Sequence, residues 1–151
     1  MRLYVSSFKG LYRFLIIVPC LLILSFQKVY ADIQVIAHPS VEIESITGKK
    51  LRYIYSMQYK RWANDTKIKV ITLHPQNPLF KKMSINYMQI QPYVLSRQWN
   101  RLKYSGTSMV PIVVRDEDEM ISFIQRIPGA IGYISTDKNI LGLPLLKVKI
   151  K

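Results

Sequence analysis

Residues 127–134 have the sequence Ile127-Pro128-Gly129-Ala130-Ile131-Gly132-Tyr133-Ile134, in which a helix stop is followed at once by an apolar strand. Pro128 and Gly129 are residue types that end a helix. Branched and aromatic residues then dominate residues 130–134, as in a buried strand. Upstream, Asp116 and Glu119 have the spacing of a capping box, which predicts the start of the helix. The stretch therefore predicts a helix, a tight turn and a strand.

The rest of the chain alternates in the same way. Short apolar runs predict further strands at residues 33–37, 68–73 and 145–150. Other helices are predicted from a Thr47 cap, from an Asn77-Pro78 start and from Pro92. Strands that alternate with helices of about ten residues are typical of an α/β layer. The predicted fold class is α/β, with helices packed on a small, mostly parallel sheet.

The first 31 residues have the order of a cleavable export signal. Positive charge at Arg2, Lys9 and Arg13 precedes an uncharged apolar run at residues 14–26. A membrane-spanning helix needs about 20 apolar residues, and this run is shorter. We therefore expect cleavage before Asp32, a periplasmic or secreted protein, and no stable membrane anchor.

The mature chain, residues 32–151, has the length of one domain. Cys20 lies in the signal, so the mature chain has no cysteine for a disulfide, a thiolate metal site or a thiol nucleophile. Removal of the signal takes four of the 22 Lys and Arg and none of the nine Asp and Glu, which leaves a net charge of about +9. This surplus favours anionic partners, although lysines that only solvate the surface explain it equally well. Nucleic acid is not expected as the partner of an exported protein.

Three stretches together resemble the phosphate-binding substrate-binding proteins of ABC transporters, in particular short exported relatives that keep about one lobe. The closing turn and strand of that family match this chain almost letter for letter, whereas Ser56-Met57-Gln58 replaces a Gly-Lys pair of the relatives. The resemblance spans nearly all of the mature chain. The three stretches are residues 127–134, residues 46–55 with Trp62 and Asp65 behind them, and residues 99–106 with the helix around Met120.

The resemblance implies one lobe of a type II periplasmic-binding-protein fold. In that fold, oxyanions lie between two lobes and are held by helix-start amides and small hydroxyls. Complete family members have roughly twice the length of one typical domain, so this chain has too few residues to close two lobes. The resemblance leaves three outcomes open: weak binding by one lobe, a dimer that supplies the other lobe, or no phosphate binding.

The family's phosphate loop follows the strand that corresponds to residues 68–73, where an arginine and a Ser-Gly-Thr run open a helix. At that place, this chain has His74, Gln76 and Asn77, with Lys81 one turn later. These four residues are the candidate oxyanion ligands, because a helix start attracts an anion. The alternative is an ordinary helix cap at Asn77, since the arginine and the hydroxyls that grip an oxyanion are replaced.

Two further features have structural explanations. Residues 105–108 have the sequence Ser-Gly-Thr-Ser, but a helix precedes them and Pro111 follows, which favours a helix C-cap at Gly106 over a phosphate loop. His38 and His74 each end a predicted strand, and two histidines supply too few ligands for zinc, so no metal is expected. No spacing of serine, histidine and aspartate suggests nucleophilic catalysis, and neither an enzyme nor a cofactor is expected.

Two functions follow from these residues. The first is an exported solute-binding-protein-like domain that binds phosphate or another oxyanion as a receptor or accessory of a transport system. The second is a non-enzymatic interaction module that keeps the fold without the ligand and binds an envelope protein, a transporter component or an anionic polymer. Its candidate patch is Tyr59, Lys60, Arg61 and Trp62, because aromatic and arginine side chains are favoured at interfaces. A homodimer is compatible with both functions.

Overall fold

The structure, a computed structural model, describes residues 32–106 and 110–151. The predicted signal at residues 1–31 lies outside them, so the cleavage site stays a prediction. No helix in these two ranges is long and apolar enough to span a bilayer. The strands are β1 (Ile33–Ala37), β2 (Ser45–Ile46), β3 (Lys69–Leu73), β4 (Ile112–Val114), β5 (Ala130–Ser135) and β6 (Leu146–Ile150). The helices are α1 (Gly48–Tyr55), α2 (Pro78–Lys82) with a π-helical continuation (Met83–Tyr87), α3 (Pro92–Tyr104) and α4 (Glu117–Arg126).

Side-chain caps confirm three predicted helix starts. In each of them a side-chain oxygen accepts a hydrogen bond from a first-turn amide, which otherwise has no partner inside the helix. Asn77 also places Pro78 at the first position of α2, as predicted. The distances from oxygen to amide nitrogen are 3.2 Å for Thr47, 2.8 Å for Asn77 and 2.8 Å for Asp116.

The six strands form one sheet in the order β2-β6-β1-β5-β3-β4. The pairs β2–β6, β3–β5 and β3–β4 are parallel, whereas β1 is antiparallel to both β5 and β6. Five strands therefore run in one direction and β1 runs in the other, which confirms a mostly parallel sheet. The five parallel strands end at one edge, the carboxyl edge, and begin at the opposite amino edge.

The core lies on both faces of the sheet and includes polar groups that are fully bonded. Tyr133 on β5 is buried, and its hydroxyl accepts a hydrogen bond from the Leu73 amide and lies 3.2 Å from Thr72 Oγ1. Burial raises the pKa of Tyr133, so this phenol stays neutral. On α3, Trp99 Nε1 donates to the Tyr55 carbonyl at 2.7 Å. The Tyr133 bonds join β5 to β3, and the Trp99 bond joins α3 to α1. The Tyr55 hydroxyl of α1 donates to the Ile71 carbonyl of β3 at 3.3 Å, which joins the two helices to the sheet.

The turn at Gly129 joins distant parts of the chain. Trp62 Nε1 donates to the Gly129 carbonyl at 2.9 Å, and the Gly129 amide donates to Ser40 Oγ at 2.9 Å. Gly129 has a φ of 78°, in the left-handed region that glycine adopts at little cost. The predicted helix stop is thus confirmed, and it also holds the loop that contains Trp62.

Candidate functional site

The two histidines lie at opposite edges of the sheet. His74 follows β3 at the carboxyl edge, whereas His38 follows the reversed strand β1, and its amide bonds to the Ala130 carbonyl at the amino edge. Each ring accepts a local backbone N–H, from Ser40 at 3.0 Å for His38 and from Gln76 at 3.4 Å for His74. Among the described residues, no group of three His, Cys, Asp or Glu could hold a metal ion. The histidines therefore do not form a pair.

The predicted oxyanion loop is a closed turn. The Asn77 amide donates to the His74 carbonyl at 2.8 Å, and Asn77 Oδ1 accepts from the Leu79 amide at 2.8 Å. Gln76 and Lys81 have exposed side chains on either side of this turn. The asparagine thus already satisfies a helix-start amide that an anion would need, and the geometry is that of an ordinary capped helix.

The carboxyl edge is acidic at the start of α4. Glu117 accepts from the Ser135 amide at 2.6 Å, and Asp118 pairs with Lys138 at 2.7 Å. Glu119 accepts from the amide of Arg115, and this bond is the main reason that the pKa of its carboxyl is lowered. These carboxylates support local structure, and their charge disfavours an anion at this part of the edge.

The opposite half of the carboxyl edge is basic. Beside the start of α1, Lys49, Arg52 and Lys151 line a cavity of about 430 Å³, together with residues 86–89 at the end of the π-helical turn. The first turn of α1 contains no acidic residue. An anion at this place would meet basic side chains and the positive end of α1. The cavity could not be predicted from the sequence, because residues 86–89 are distant in sequence from Lys49 and Arg52.

A cluster next to this cavity holds the start of β1. Tyr87 donates a hydrogen bond to Asp32, and Lys82 Nζ lies 3.7 Å from Asp32 Oδ1. The bond from Tyr87 is the main cause of the lowered pKa of Asp32. Burial, followed by the bond to Asp32, raises the pKa of Tyr87. At neutral pH the lowered pKa keeps the Asp32 carboxyl ionised, and the raised pKa keeps the Tyr87 phenol neutral.

A second basic site, here called the basic cleft, lies at the amino edge. It has a volume of about 410 Å³. Three residues of the predicted interaction patch behave differently from the fourth: Tyr59, Lys60 and Arg61 line the cleft, whereas Trp62 is only 5% exposed. The Trp62 indole bonds to Gly129 and offers no contact area to a partner, so its place in the patch is wrong. The lining residues are Met57, Tyr59, Lys60, Arg61, Lys67, Ile68, Lys69, Val70, Val110 and Ile112.

The second Ser-Gly-Thr run begins at a helix end, as predicted. The Ser105 amide bonds to the Arg101 carbonyl at 3.0 Å, and Gly106 follows with a φ of 72°. This geometry confirms the helix C-cap. Thr107 and Ser108 lie outside the described residues.

Comparison with solved structures identifies the architecture. The chain matches PstS from Borrelia burgdorferi with a TM-score of 0.58 and 21% identity over 80% of this chain and 47% of that one. The described part of this chain therefore has the fold of one lobe of a substrate-binding protein. A protein from Clostridium perfringens assigned as a phosphate ABC transporter substrate-binding protein, with bound phosphate, matches the lobe with a TM-score of 0.62 and 16% identity over 80% of this chain and 45% of that one. An ABC-type phosphate transport receptor from Vibrio cholerae matches with a TM-score of 0.60 and 14% identity over 80% of this chain and 47% of that one.

The matches to solved structures are limited in coverage and in sequence identity. The lobe spans less than half of the length of each solved relative. The sequence matches no protein-family profile and no curated protein. The resemblance inferred from the sequence is thus confirmed at the level of the fold, and the structural neighbours are transport receptors.

Proposed function

We propose that this domain is an exported, non-enzymatic, single-lobe binding module that takes a small oxyanion such as phosphate, as a receptor or accessory of a transport system. The observation that carries the proposal is the basic cavity at the carboxyl edge, lined by Lys49, Arg52 and Lys151. Ligands of open α/β sheets bind outside the carboxyl ends of the strands. The structural neighbours, one of them solved with bound phosphate, support the same ligand class.

The ligand position is the cavity beside α1, and His74, Gln76, Asn77 and Lys81 contribute little. Asn77 occupies its own helix-start amide, and α2 has only five residues. Thr47 caps α1 in the same way, but Lys49 and Arg52 on this eight-residue helix line one cavity together with Lys151. With one lobe, the ligand stays open to water on one side, so binding is weak, with a dissociation constant of about 1 mM.

Calorimetry tests this proposal. Purified protein in low-salt buffer is titrated with inorganic phosphate, and we expect saturable heat that the double variant Lys49→Glu/Arg52→Glu abolishes. A matched control, Arg97→Glu/Arg101→Glu, makes the same change of charge on exposed positions of α3 and should keep the wild-type affinity. Absence of heat from the wild-type protein, or equal loss in both variants, would contradict a site beside α1.

A second function is favoured by the basic cleft: the module binds an acidic partner, either an envelope protein or an anionic polymer, through Tyr59, Lys60 and Arg61. Lys67 and Lys69 add positive charge to the same surface. Arg61 is partly used by the bond of its guanidinium to the Asp65 carbonyl at 2.7 Å. Fluorescence anisotropy with labelled polyglutamate tests this function. We expect Lys60→Glu/Lys67→Glu to weaken binding by more than tenfold, and unchanged binding would exclude the cleft.

Export is part of the proposal. The order of basic and apolar residues at 1–31 supports it, and protein recovered from the periplasm or medium should begin at Asp32 on N-terminal sequencing. Recovery of the intact first residue, Met1, from the same fractions would contradict cleavage.

A further inference from the structure

Strand β4 is the outermost strand on one side of the sheet. In the described part of the chain, it pairs with β3 on one side and has no strand on the other. Apolar side chains are exposed beside it, with Val113 at 51% and Val110 at 37%. An edge of this kind presents unpaired backbone groups and is a template for another strand.

The two ends of β4 carry opposite charge. Lys67 and Lys69 of the basic cleft lie near the start of β4, whereas Asp116 follows its end. Within the described ranges, neither lysine forms an ion pair with a carboxylate. Asp116 uses one oxygen for its helix cap and remains exposed. Arg115, between β4 and Asp116, is paired with Glu119 at 3.2 Å, so the strand is flanked by a positive end and by the carboxylate of Asp116.

We propose that the acidic partner of the basic cleft is a second copy of this chain, joined through antiparallel pairing of the two β4 strands about a twofold axis. The inference rests on the second function above, because it names the partner of that same cleft. A twofold interface requires a surface that complements itself. A strand that is positive at one end and negative at the other meets this requirement only in the antiparallel arrangement.

The register follows from the sequence of β4. If the axis passes between the two Val113 residues, each Val113 faces the second copy's Val113, and Val110 faces the second copy's Asp116. The Val113 side chains of the two copies then bury each other, and the removal of their apolar surface from water is favourable. Pro111 lacks a backbone N–H, and the Arg115 amide already donates to Glu119 at 2.7 Å, so the new backbone hydrogen bonds are those between the two Val113 residues.

The charges also lie on the same face of the joined sheet. Ile71 is paired with Ile112, and Lys69 has the same orientation as Ile71 because side chains alternate along a strand. A twofold axis perpendicular to the sheet keeps equivalent faces together. Two strand spacings, about 10 Å, separate the Lys69 backbone from the second copy's Asp116, and the two side chains span that gap. The result is one continuous sheet of two lobes with a pair of symmetric charge contacts.

Sedimentation velocity tests this proposal on the purified protein between about 5 and 500 μM, since the dimer fraction must rise with concentration. We expect a monomer–dimer equilibrium that weakens as salt is added. Lys67→Glu/Lys69→Glu should weaken the dimer by at least tenfold. Asp116→Asn keeps a good helix cap while removing the charge, and it should weaken the dimer several-fold. The control Arg97→Glu/Arg101→Glu should leave it unchanged.

Hydrogen exchange adds a readout at the strand itself: the amide of Val113, which points away from β3, should gain protection in the dimer. A monomer at every concentration, a dimer indifferent to the lysine variant, or a control that weakens it equally would overturn the proposal. The self-pairing of β4 and the second function of the basic cleft can be refuted independently. A monomeric protein that still binds polyglutamate through the cleft would refute self-pairing and leave the second function standing, whereas loss of both would refute both.

Discussion

Substitution of Gly129 by alanine should be far more costly than the same change at another glycine of similar backbone angle. Gly129 has a φ of 78°, where a Cβ costs about 1–2 kcal/mol. An added Cβ would also lie 2.2 Å from the Lys67 carbonyl oxygen, so the backbone must move. That movement weakens three hydrogen bonds of Gly129, from Trp62 at 2.9 Å, from Lys69 at 3.1 Å and to Ser40 at 2.9 Å.

The magnitude follows from these contacts. Each hydrogen bond contributes about 1 kcal/mol net, so the three bonds and the backbone strain together give a loss of about 4–5 kcal/mol. The domain stability of a typical small protein is about 5–15 kcal/mol, so the variant loses a large share of it. Gly142 is the matched control: it also has a φ of 78°, but no heavy atom lies within 4 Å of its added Cβ. Gly142→Ala should therefore lose only the strain, about 1–2 kcal/mol.

Urea unfolding followed by far-ultraviolet circular dichroism measures both variants by linear extrapolation. The expected difference between them is about 3 kcal/mol, the share of the three hydrogen bonds, which exceeds the uncertainty of the extrapolation. Equal losses of stability in Gly129→Ala and Gly142→Ala would show that the close approach to Lys67 has no energetic weight. The reasoning about the turn would then be refuted.

Three further predictions use the same unfolding assay. Trp62→Phe removes the donor to the buried turn carbonyl and should cost about 2–4 kcal/mol, and a loss below 1 kcal/mol would contradict the role of that bond. Tyr133→Phe leaves the Leu73 amide without an acceptor and should cost about 1–3 kcal/mol, with unchanged stability as the contrary result. Asp32→Asn should cost less than about 1 kcal/mol at pH 7, because the side chain is largely exposed. Since Tyr87 lowers the pKa of folded Asp32, this cost should be full above about pH 5 and vanish as the pH falls through the folded pKa, and a pH-independent cost would contradict the bond.

Most of the secondary structure could be predicted from local sequence signals. The caps at Thr47, Asn77 and Asp116 were predictable because a cap and its amide are two or three residues apart. The predicted strands differ from the observed ones by one residue at some ends. Two strands, β2 and β4, were missed because two or three residues are too few for an alternating pattern.

The features that could not be predicted from the sequence depend on contacts between residues that are far apart in the chain. The reversed direction of β1 depends on pairing with residues about 100 positions later, which no local pattern encodes. Trp62 is in a polar stretch and was assigned to the surface, but its partner Gly129 is 67 positions away. The basic cavity beside α1 was invisible for the same reason, because Lys49 and Arg52 meet Asn86 and Gln89 only in the folded chain.

The central position of β1 has a consequence for how the protein is made. This strand leaves the ribosome before the rest of the sheet, yet both of its neighbours, β5 and β6, follow about 100 residues later. Contacts between such distant segments form slowly, and they cannot form at all until the C-terminal residues are available. Strand β1 of the nascent chain therefore stays unpaired until β5 and β6 have been synthesised. The same arrangement predicts that loss of the last strand would leave the first one with an open side in the middle of the sheet.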